Sequence, residues 1–202
     1  MRTGVLIAAF LILAGAPAVA AAPPDAAATP PAADSGTVFP DPQKAARLNQ
    51  LFDTLRATTS PAAGRVIEAE IIAEWLKSGD ADTDAVMAEA LAAMDEGNLQ
   101  VALNYLDTLV SARPDYVEAW NKRATVYFYL NEYDKSLADI AVVLALEPRH
   151  FGALAGLGMI KLNQGDKRAA LDAFEQAVAV DPALDNVEMV IKQLKQQVDK
   201  GI

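Results

Sequence analysis

The chain has 202 residues, of which 52% are hydrophobic and 22% are charged, so it is long and apolar enough to bury a packed core. It contains no cysteine, which excludes disulfides, thiolate metal sites and cysteine nucleophiles. A formal net charge of -10 argues against nucleic acid as a partner, because phosphates require a basic surface.

The first predicted element is a secretory signal over residues 1–20. Arg2 precedes a run of about ten apolar residues, and an A-x-A cleavage site ends at Ala20. We expect cleavage after Ala20 rather than after Ala22, because Pro23 would follow the second bond. The alternative is an uncleaved membrane anchor, but the apolar run is half the roughly 20 residues that a spanning helix needs.

Residues 21–42 are rich in alanine and proline and are predicted to form a disordered, extended spacer. Prolines at positions 23, 24, 30, 31, 40 and 42 remove backbone donors and block helix formation. Such a segment buries too little apolar surface to offset the entropy of ordering it. The alternative is a proline-rich ligand for another domain, which is disfavoured because no basic residue accompanies the prolines.

Residues 43–80 are predicted to form a helical hairpin. Apolar residues recur at helical spacing in residues 45–58 and again in residues 61–77, with a break at Pro61 and a stop at Gly79. We interpret Trp75 as a core anchor rather than a ligand contact, because its neighbours at helical spacing are apolar. The pair lacks the periodicity found downstream, so we expect a divergent hairpin that caps the N-terminal end of the following stack.

A fixed period of 34 residues governs the next part of the chain. Pro114, Pro148 and Pro182 each follow a charged residue at the end of a segment, and they are spaced 34 residues apart. The corresponding units are residues 83–116, 117–150 and 151–184. Between the two halves of a unit, Gly97-Asn98 and Gly165-Asp166 pair a left-handed glycine with a helix-capping side chain, and Asn131 replaces the glycine in the middle unit.

Small residues recur at fixed positions in these units. They are Ala90, Ala124 and Gly158 on the first helix of each unit and Ala102, Ser136 and Ala170 on the second. Short side chains at these positions let paired helices approach, while larger ones such as Trp120 and Phe174 fill the remaining volume. The pattern resembles the tetratricopeptide repeat over about half of the chain, most closely in the second unit. The resemblance implies an all-α, right-handed solenoid of three helix-turn-helix repeats.

Residues 185–202 are predicted to form a capping helix and tail. Val187, Val190 and Leu194 make one apolar stripe beside a polar surface, which is what the open face of a last repeat requires. The order of signal, spacer, hairpin and repeats resembles small periplasmic tetratricopeptide proteins of Gram-negative bacteria. That resemblance implies a periplasmic location, with no membrane span after cleavage.

The resemblance also implies a groove in which the first helix of each repeat forms the wall. The implied groove residues are Met87, Leu91 and Met94 in the first unit, Asn121, Thr125, Phe128 and Tyr129 in the second, and Ala155, Met159, Leu162 and Asn163 in the third. Flexible methionines and aromatic rings suit an apolar or amphipathic peptide. In the first unit, the alternative is that the hairpin or the spacer covers these side chains.

The family's carboxylate clamp, which holds the C-terminus of a chaperone, is not expected here. Its positions are occupied by Met87 and Leu91 in the first unit and by Gly152 and Gly156 in the third. Lys122 and Arg123 are present, but two cations on one helix do not make the clamp.

We predict no catalytic residue, cofactor or metal site. The one histidine, His150, is interpreted as a helix-start or turn residue with solvent contact, because a catalytic base needs an oriented partner and the local sequence offers none. Phosphate-binding loops and nucleophile elbows are absent from the sequence. The sequence therefore predicts a noncatalytic module that binds a protein or peptide partner. The alternative is a structural protein that self-associates through its repeats.

Overall fold

The computed structural model describes residues 41–198, which form nine α-helices. The predicted signal, residues 21–40 of the predicted spacer and the last residues, 199–202, lie outside the described residues. Among the helices that are described, none combines the length and the apolar character needed to cross a bilayer.

The described helices follow one another with short connections. They are α1 Pro42–Ala57, α2 Pro61–Leu76, α3 Ala81–Asp95, α4 Leu99–Ala112, α5 Val117–Tyr129, α6 Tyr133–Leu146, α7 Phe151–Asn163, α8 Lys167–Val180 and α9 Asp185–Val198. The pairs α3–α4, α5–α6 and α7–α8 pack as hairpins, and each hairpin packs against the next. These three hairpins are the predicted 34-residue repeats, so the all-α repeat fold is confirmed.

Left-handed residues turn the chain between the two helices of each repeat. Gly97, Asn131 and Gly165 have φ values of 76°, 61° and 83°, and Asn131 therefore replaces glycine as predicted. Asp166 caps α8 by accepting the backbone N–H of Ala169 at 3.0 Å. The predicted cap at Asn98 is wrong, because its side chain donates to Glu96 instead and accepts no N–H of α4.

The small residues lie where paired helices touch. Ala90, Ala124, Ser136 and Gly158 are all buried, and the Ser136 hydroxyl donates to the carbonyl of Ala124 at 2.7 Å. A Cβ on Gly158 would lie 2.6 Å from the ring of Phe174, closer than two non-bonded carbon atoms can approach. The short side chains therefore set the distance between the helices, as the sequence predicts.

Ion pairs of Arg123 join the first two repeats, and the pair within the second repeat is buried. Arg123 donates to both oxygens of Asp139 at 2.8 Å and to Asp107 at 2.8 Å, and its guanidinium lies 4.8 Å from the ring centroid of Trp120. Burial raises the pKa of Asp139, and the hydrogen bonds from Arg123 oppose that effect. Arg123 thus connects α4, α5 and α6.

The N-terminal hairpin covers the first repeat only in part: Leu76, at the end of α2, packs against the core of that repeat, but most of the hairpin packs elsewhere. Its apolar side chains form one core with Phe151 at the start of α7 and with Val180 and Leu184 at the end of α8. A Cβ on Gly64 would lie only 2.8 Å from the Cβ of Ala183. The hairpin lies along the turns between repeats and reaches the third repeat. Phe151, Val180 and Leu184 lie near those turns and offer apolar surface to the apolar stripes of α1 and α2.

The last helix covers the third repeat. Val187, Val190 and Leu194 of α9 are buried against Phe174 of α8. The predicted C-terminal cap is confirmed.

Candidate functional site

The first helices of the three repeats, α3, α5 and α7, form a surface that we call the wall. The residues predicted to line this wall differ in how far their side chains are exposed to solvent. Buried are Met87, Met94, Asn121, Thr125 and Ala155. Partly buried are Leu91, Phe128, Met159 and Leu162, while Tyr129 and Asn163 are exposed. The accessible members therefore lie mostly in the carboxyl-terminal halves of the three helices.

The methionines of the first repeat belong to the core. Met87 is 2% exposed, and it packs with Met94 in a cluster that includes Leu76 at the end of α2. This arrangement favours the alternative in which the hairpin helps to cover the first unit. Leu91, on the same helix, is only partly buried.

A buried polar cluster lies at the amino-terminal end of α5. The Glu118 carboxylate accepts from Lys122 at 3.0 Å and from Asn121 at 3.1 Å on one oxygen, and it lies 3.0 Å from Nε2 of His150 on the other. Burial alone would raise the pKa of Glu118, but the charge of Lys122 and the hydrogen bond from His150 lower it to about 2. Glu118 is therefore ionised at neutral pH.

His150 starts α7 as its N-cap, as the sequence predicts, but it is buried, so the predicted solvent contact is wrong. Its Nδ1 accepts the backbone N–H of Ala153 at 3.1 Å and thereby caps α7. The proton consequently sits on Nε2, which donates to Glu118. The imidazole also stacks on Trp75, with ring centroids 4.0 Å apart. Both ring nitrogens are engaged in holding the structure together.

Sequence reasoning missed the pairing of His150 with Glu118 because the two residues are 32 positions apart. The repeat offered a signal, since Glu118 begins the first helix of one unit and His150 precedes the first helix of the next. Successive first helices are neighbours in a solenoid. Polar residues at these two points are therefore candidates for contact.

The carboxyl-terminal end of α2 is held by donors from other parts of the chain. The Tyr116 hydroxyl donates to the carbonyl of Leu76 at 2.5 Å, and Arg113 donates to the carbonyl of Ser78 at 3.4 Å. From α1, Lys44 donates to the carbonyl of Lys77 at 2.5 Å. These donors satisfy carbonyls that a helix end leaves without partners. Burial raises the pKa of Tyr116, so its hydroxyl keeps the donated proton.

The rings of α1 and α2 complete this contact. Trp75 lies 5.0 Å from Phe151, measured between ring centroids, and the Arg149 guanidinium lies 4.3 Å from the ring of Phe52. Arg149 also donates to Asn49 of α1 at 2.8 Å. We call the surface formed by Tyr116, Glu118, His150 and Phe151 the covered end of the wall.

The opposite end of the wall remains accessible. Tyr129, 37% exposed, meets Phe128 edge to face with ring centroids 5.9 Å apart, and Phe128 also lies 5.7 Å from Tyr133. The surface that we call the open end consists of Leu91, Phe128, Tyr129, Met159, Leu162 and Asn163. Met159 and Leu162 also pack against the cluster that holds α9.

The two cations near the clamp positions are already paired within the protein. Lys122 binds Glu118, and Arg123 binds Asp139 and Asp107. Within residues 41–198, no three histidine, aspartate or glutamate side chains are grouped to hold a metal ion.

Comparison with known sequences identifies relatives over most of the described chain. Family models described as tetratricopeptide repeat match residues 87–149 and 151–184. A TPR repeat-containing protein of Rhizobium etli is 42% identical over 137 residues, which are 68% of this chain and 67% of the relative. The small glutamine-rich tetratricopeptide repeat-containing protein 2 of Saccharomyces cerevisiae is 22% identical over 152 residues, which are 72% of this chain and 44% of that protein.

Solved structures with the same fold are more distant in sequence. The Sgt2 TPR domain from Aspergillus fumigatus aligns with a TM-score of 0.55 and 18% identity, covering 60% of this chain and 82% of that domain. The first TPR of Spaghetti (RPAP3), bound to an HSP90 peptide, aligns with a TM-score of 0.55 and 15% identity, covering 58% and 93%. The 34-residue period, the nested helix pairs and the Rhizobium relative agree, and the chain belongs to the tetratricopeptide repeat family.

Proposed function

We propose that this protein is a noncatalytic adaptor or assembly factor of the periplasm that binds a peptide segment of a partner at the open end of the wall. Tetratricopeptide domains are protein–protein interaction modules, and the neighbouring structures include one bound to an HSP90 peptide and one described as a complex of yeast Sti1 with Hsp70. The observation that carries the proposal is the exposed Tyr129 beside Phe128 on the middle first helix. Tyrosine supplies contact area with little loss of conformational entropy.

The chemistry of the open end favours an apolar or amphipathic segment. Its side chains are aliphatic, aromatic or amide, and the nearby cations Lys122 and Arg123 are occupied by acids of the same protein. An acidic chaperone tail would require cations that are free to pair with it. We therefore propose a partner segment with apolar side chains that repack around Met159 and Leu162.

The test is affinity capture from an envelope extract with the wild-type protein and two single variants. Tyr129→Ala removes the exposed ring, while Val101→Ala truncates a side chain on α4 that is 46% exposed and outside the wall. Phe128 is left intact because it packs into the core. We expect Tyr129→Ala to lose the captured partner and Val101→Ala to keep it. Equal capture by both variants, each with a wild-type circular dichroism spectrum, contradicts the proposal.

The periplasmic location is proposed from the signal pattern of residues 1–20. Intact mass measurement on the protein from a periplasmic fraction tests it. We expect a chain that starts at Ala21. A chain that retains residues 1–20 and stays in the cytoplasmic fraction contradicts the location.

One observation favours the second candidate, a protein that self-associates. The outer face of α2 presents small apolar side chains, namely Ala62, Val66, Ala69 and Ala73, and Val66 is 61% exposed. Such a stripe can pack against another helix. Light scattering over a range of protein concentrations separates the candidates, because a monomer at every concentration excludes self-association.

A further inference from the structure

The two halves of α2 contact the repeats in different ways, and Gly64, in the first half, approaches Ala183 closely. Paired helices within a repeat nest through small residues such as Gly158, whose Cβ position lies 2.6 Å from Phe174. The carboxyl-terminal half of α2 instead contacts the covered end of the wall through one large ring and through its last carbonyls. A helix that binds in a groove likewise places large anchoring side chains in pockets of that groove.

The receiving surface is built by the repeats. His150 and Phe151 lie 4.0 Å and 5.0 Å from the Trp75 ring, measured between centroids, and the Trp75 and His150 planes are within 11° of parallel. Glu118 accepts a hydrogen bond from Nε2 of His150 and thereby fixes the orientation of the imidazole. The covered end therefore has an aromatic slot formed by His150 and by Phe151, which also packs in the hairpin's core.

The same surface also recognises the end of a helix. The Tyr116 hydroxyl donates to the carbonyl of Leu76, the last residue of α2 and the one directly after Trp75, and Arg113 donates to the carbonyl of Ser78, two residues beyond the helix. Donors placed at the carboxyl end of a helix suit any helix that ends one turn or less after its aromatic residue. The slot and the donors together define the ligand as a helix with an aromatic side chain in its last turn.

The fit of α2 to this surface is incomplete. The indole N–H of Trp75 is buried and donates to no acceptor among residues 41–198. A buried donor without a partner weakens the state that contains it. Residues 77–80, which join α2 to α3, include Gly79 with φ of 83°, a conformation that favours glycine. The hairpin is thus attached through a short connection at one end.

We propose that the covered end of the wall is a second binding surface, specific for a partner helix with an aromatic residue in its last turn, and that α2 is the resident helix which such a partner displaces. This proposal rests on the proposed function, since it assigns a second surface to the same interaction module. Two partner segments, or two parts of one segment, then bind at opposite ends of the wall.

An engineered disulfide tests whether α2 must leave. The chain has no native cysteine, and Gly64 and Ala183 are placed so that Gly64→Cys with Ala183→Cys joins α2 to the end of the third repeat after a small shift. The probe is a fluorescein-labelled synthetic peptide of residues 61–80, added to the full-length double variant and followed by anisotropy. The reduced protein serves as the control for its own oxidised form.

We expect the peptide to bind the reduced protein and to bind the oxidised protein at least tenfold more weakly. A peptide carrying Trp75→Ala should also bind at least tenfold more weakly, whereas one carrying Val66→Ala should bind normally because Val66 points away from the repeats. Equal binding to the oxidised and reduced proteins overturns the proposal, and so does the absence of binding to the reduced protein.

Hydrogen exchange of the wild-type protein gives a second readout that needs no cysteine. The amides of α2 should exchange through an opening of lower free energy than those of α5 and α7. Identical free energies in all three helices overturn the proposal. Capture of a partner that depends on Tyr129 should persist in the oxidised double variant, so failure here and failure of the proposed function are distinguishable.

Discussion

A single buried carboxylate organises the amino-terminal end of α5. Glu118 receives hydrogen bonds from Lys122, Asn121 and His150, and the last of these orients the imidazole on which Trp75 stacks. Since its pKa is lowered from 4.5 in the unfolded chain to about 2, Glu118 stabilises the fold above its unfolded pKa. That contribution is complete at pH 7 and is lost as the pH falls from about 5 to 2.

Glu118→Gln should therefore lower the free energy of unfolding at pH 7 by about 2 kcal/mol, because the ionised partner of Lys122 and His150 is lost. Urea titrations at several pH values measure this difference, which should shrink as the pH approaches 2. Glu89→Gln, an exposed carboxylate on α3, is the control and should change stability little. A Glu118→Gln difference that does not depend on pH would show that charge is not the cause.

Two residue-level predictions from the sequence are wrong for different reasons. The local sequence predicts solvent contact for His150 because its neighbours along the chain offer no partner, yet Glu118 and Trp75 bury it. Asn98 is a residue type that often caps helices and it stands at the N-cap of α4, but its side-chain amide donates a hydrogen bond to Glu96. The first error follows from partners that are distant in the sequence, and the second from a local hydrogen bond that a capping pattern does not rank.

At the level of elements, close approach of paired helices governs the packing of the repeats. Gly158→Ala should destabilise the protein by about 1–2 kcal/mol, because overpacking against Phe174 outweighs the gain in helix propensity. Thermal unfolding measures the change. Gly152→Ala, in the same helix, places its Cβ 3.4 Å from the His150 ring and should be close to neutral. Equal effects of the two substitutions would mean that contact with Phe174 does not limit the packing of α7 on α8.

The repeats could be predicted from the sequence because their contacts are local and periodic. Ala124, Ser136 and Asn131 each lie within a unit of 34 residues whose other copies show the same pattern. The position of the hairpin could not be predicted in this way. Its stripe indicates that α1 and α2 bury one face, but the contact of Asn49 with Arg149 spans 100 positions and repeats nowhere else.

The same limitation applies to the wall. An apolar residue displaced by one position from the core stripe, such as Met87, meets either solvent or another element, and the helical pattern alone does not distinguish them. Burial of Met87 and Met94 follows from packing with Leu76 and the second repeat. Tyr129, beyond the reach of the hairpin, keeps its exposed surface.

At the scale of the whole molecule, the hairpin and the repeats should behave as separate cooperative units, because the buried indole N–H of Trp75, which has no acceptor among residues 41–198, weakens the contact between them. The two tryptophans report on them separately, Trp75 on the hairpin and Trp120 on the second repeat. In a Trp120→Phe variant, Trp75 fluorescence should change at a lower urea concentration than helical circular dichroism does. In a Trp75→Phe variant, the fluorescence of the remaining Trp120 should change over the same range of urea concentration as the circular dichroism. Coincident transitions in both variants would show one cooperative unit instead.

The division of the wall into a covered and an open end is tested most directly by site-specific photocrosslinking in living cells. A benzoylphenylalanine residue is placed in turn at Tyr129 in the open end, and at Val101 and Leu146 on the second helices, all of which are exposed. We expect one discrete protein adduct from Tyr129 and none from the other two positions. Adducts from Val101 or Leu146 with equal yield, or none from Tyr129, would contradict it.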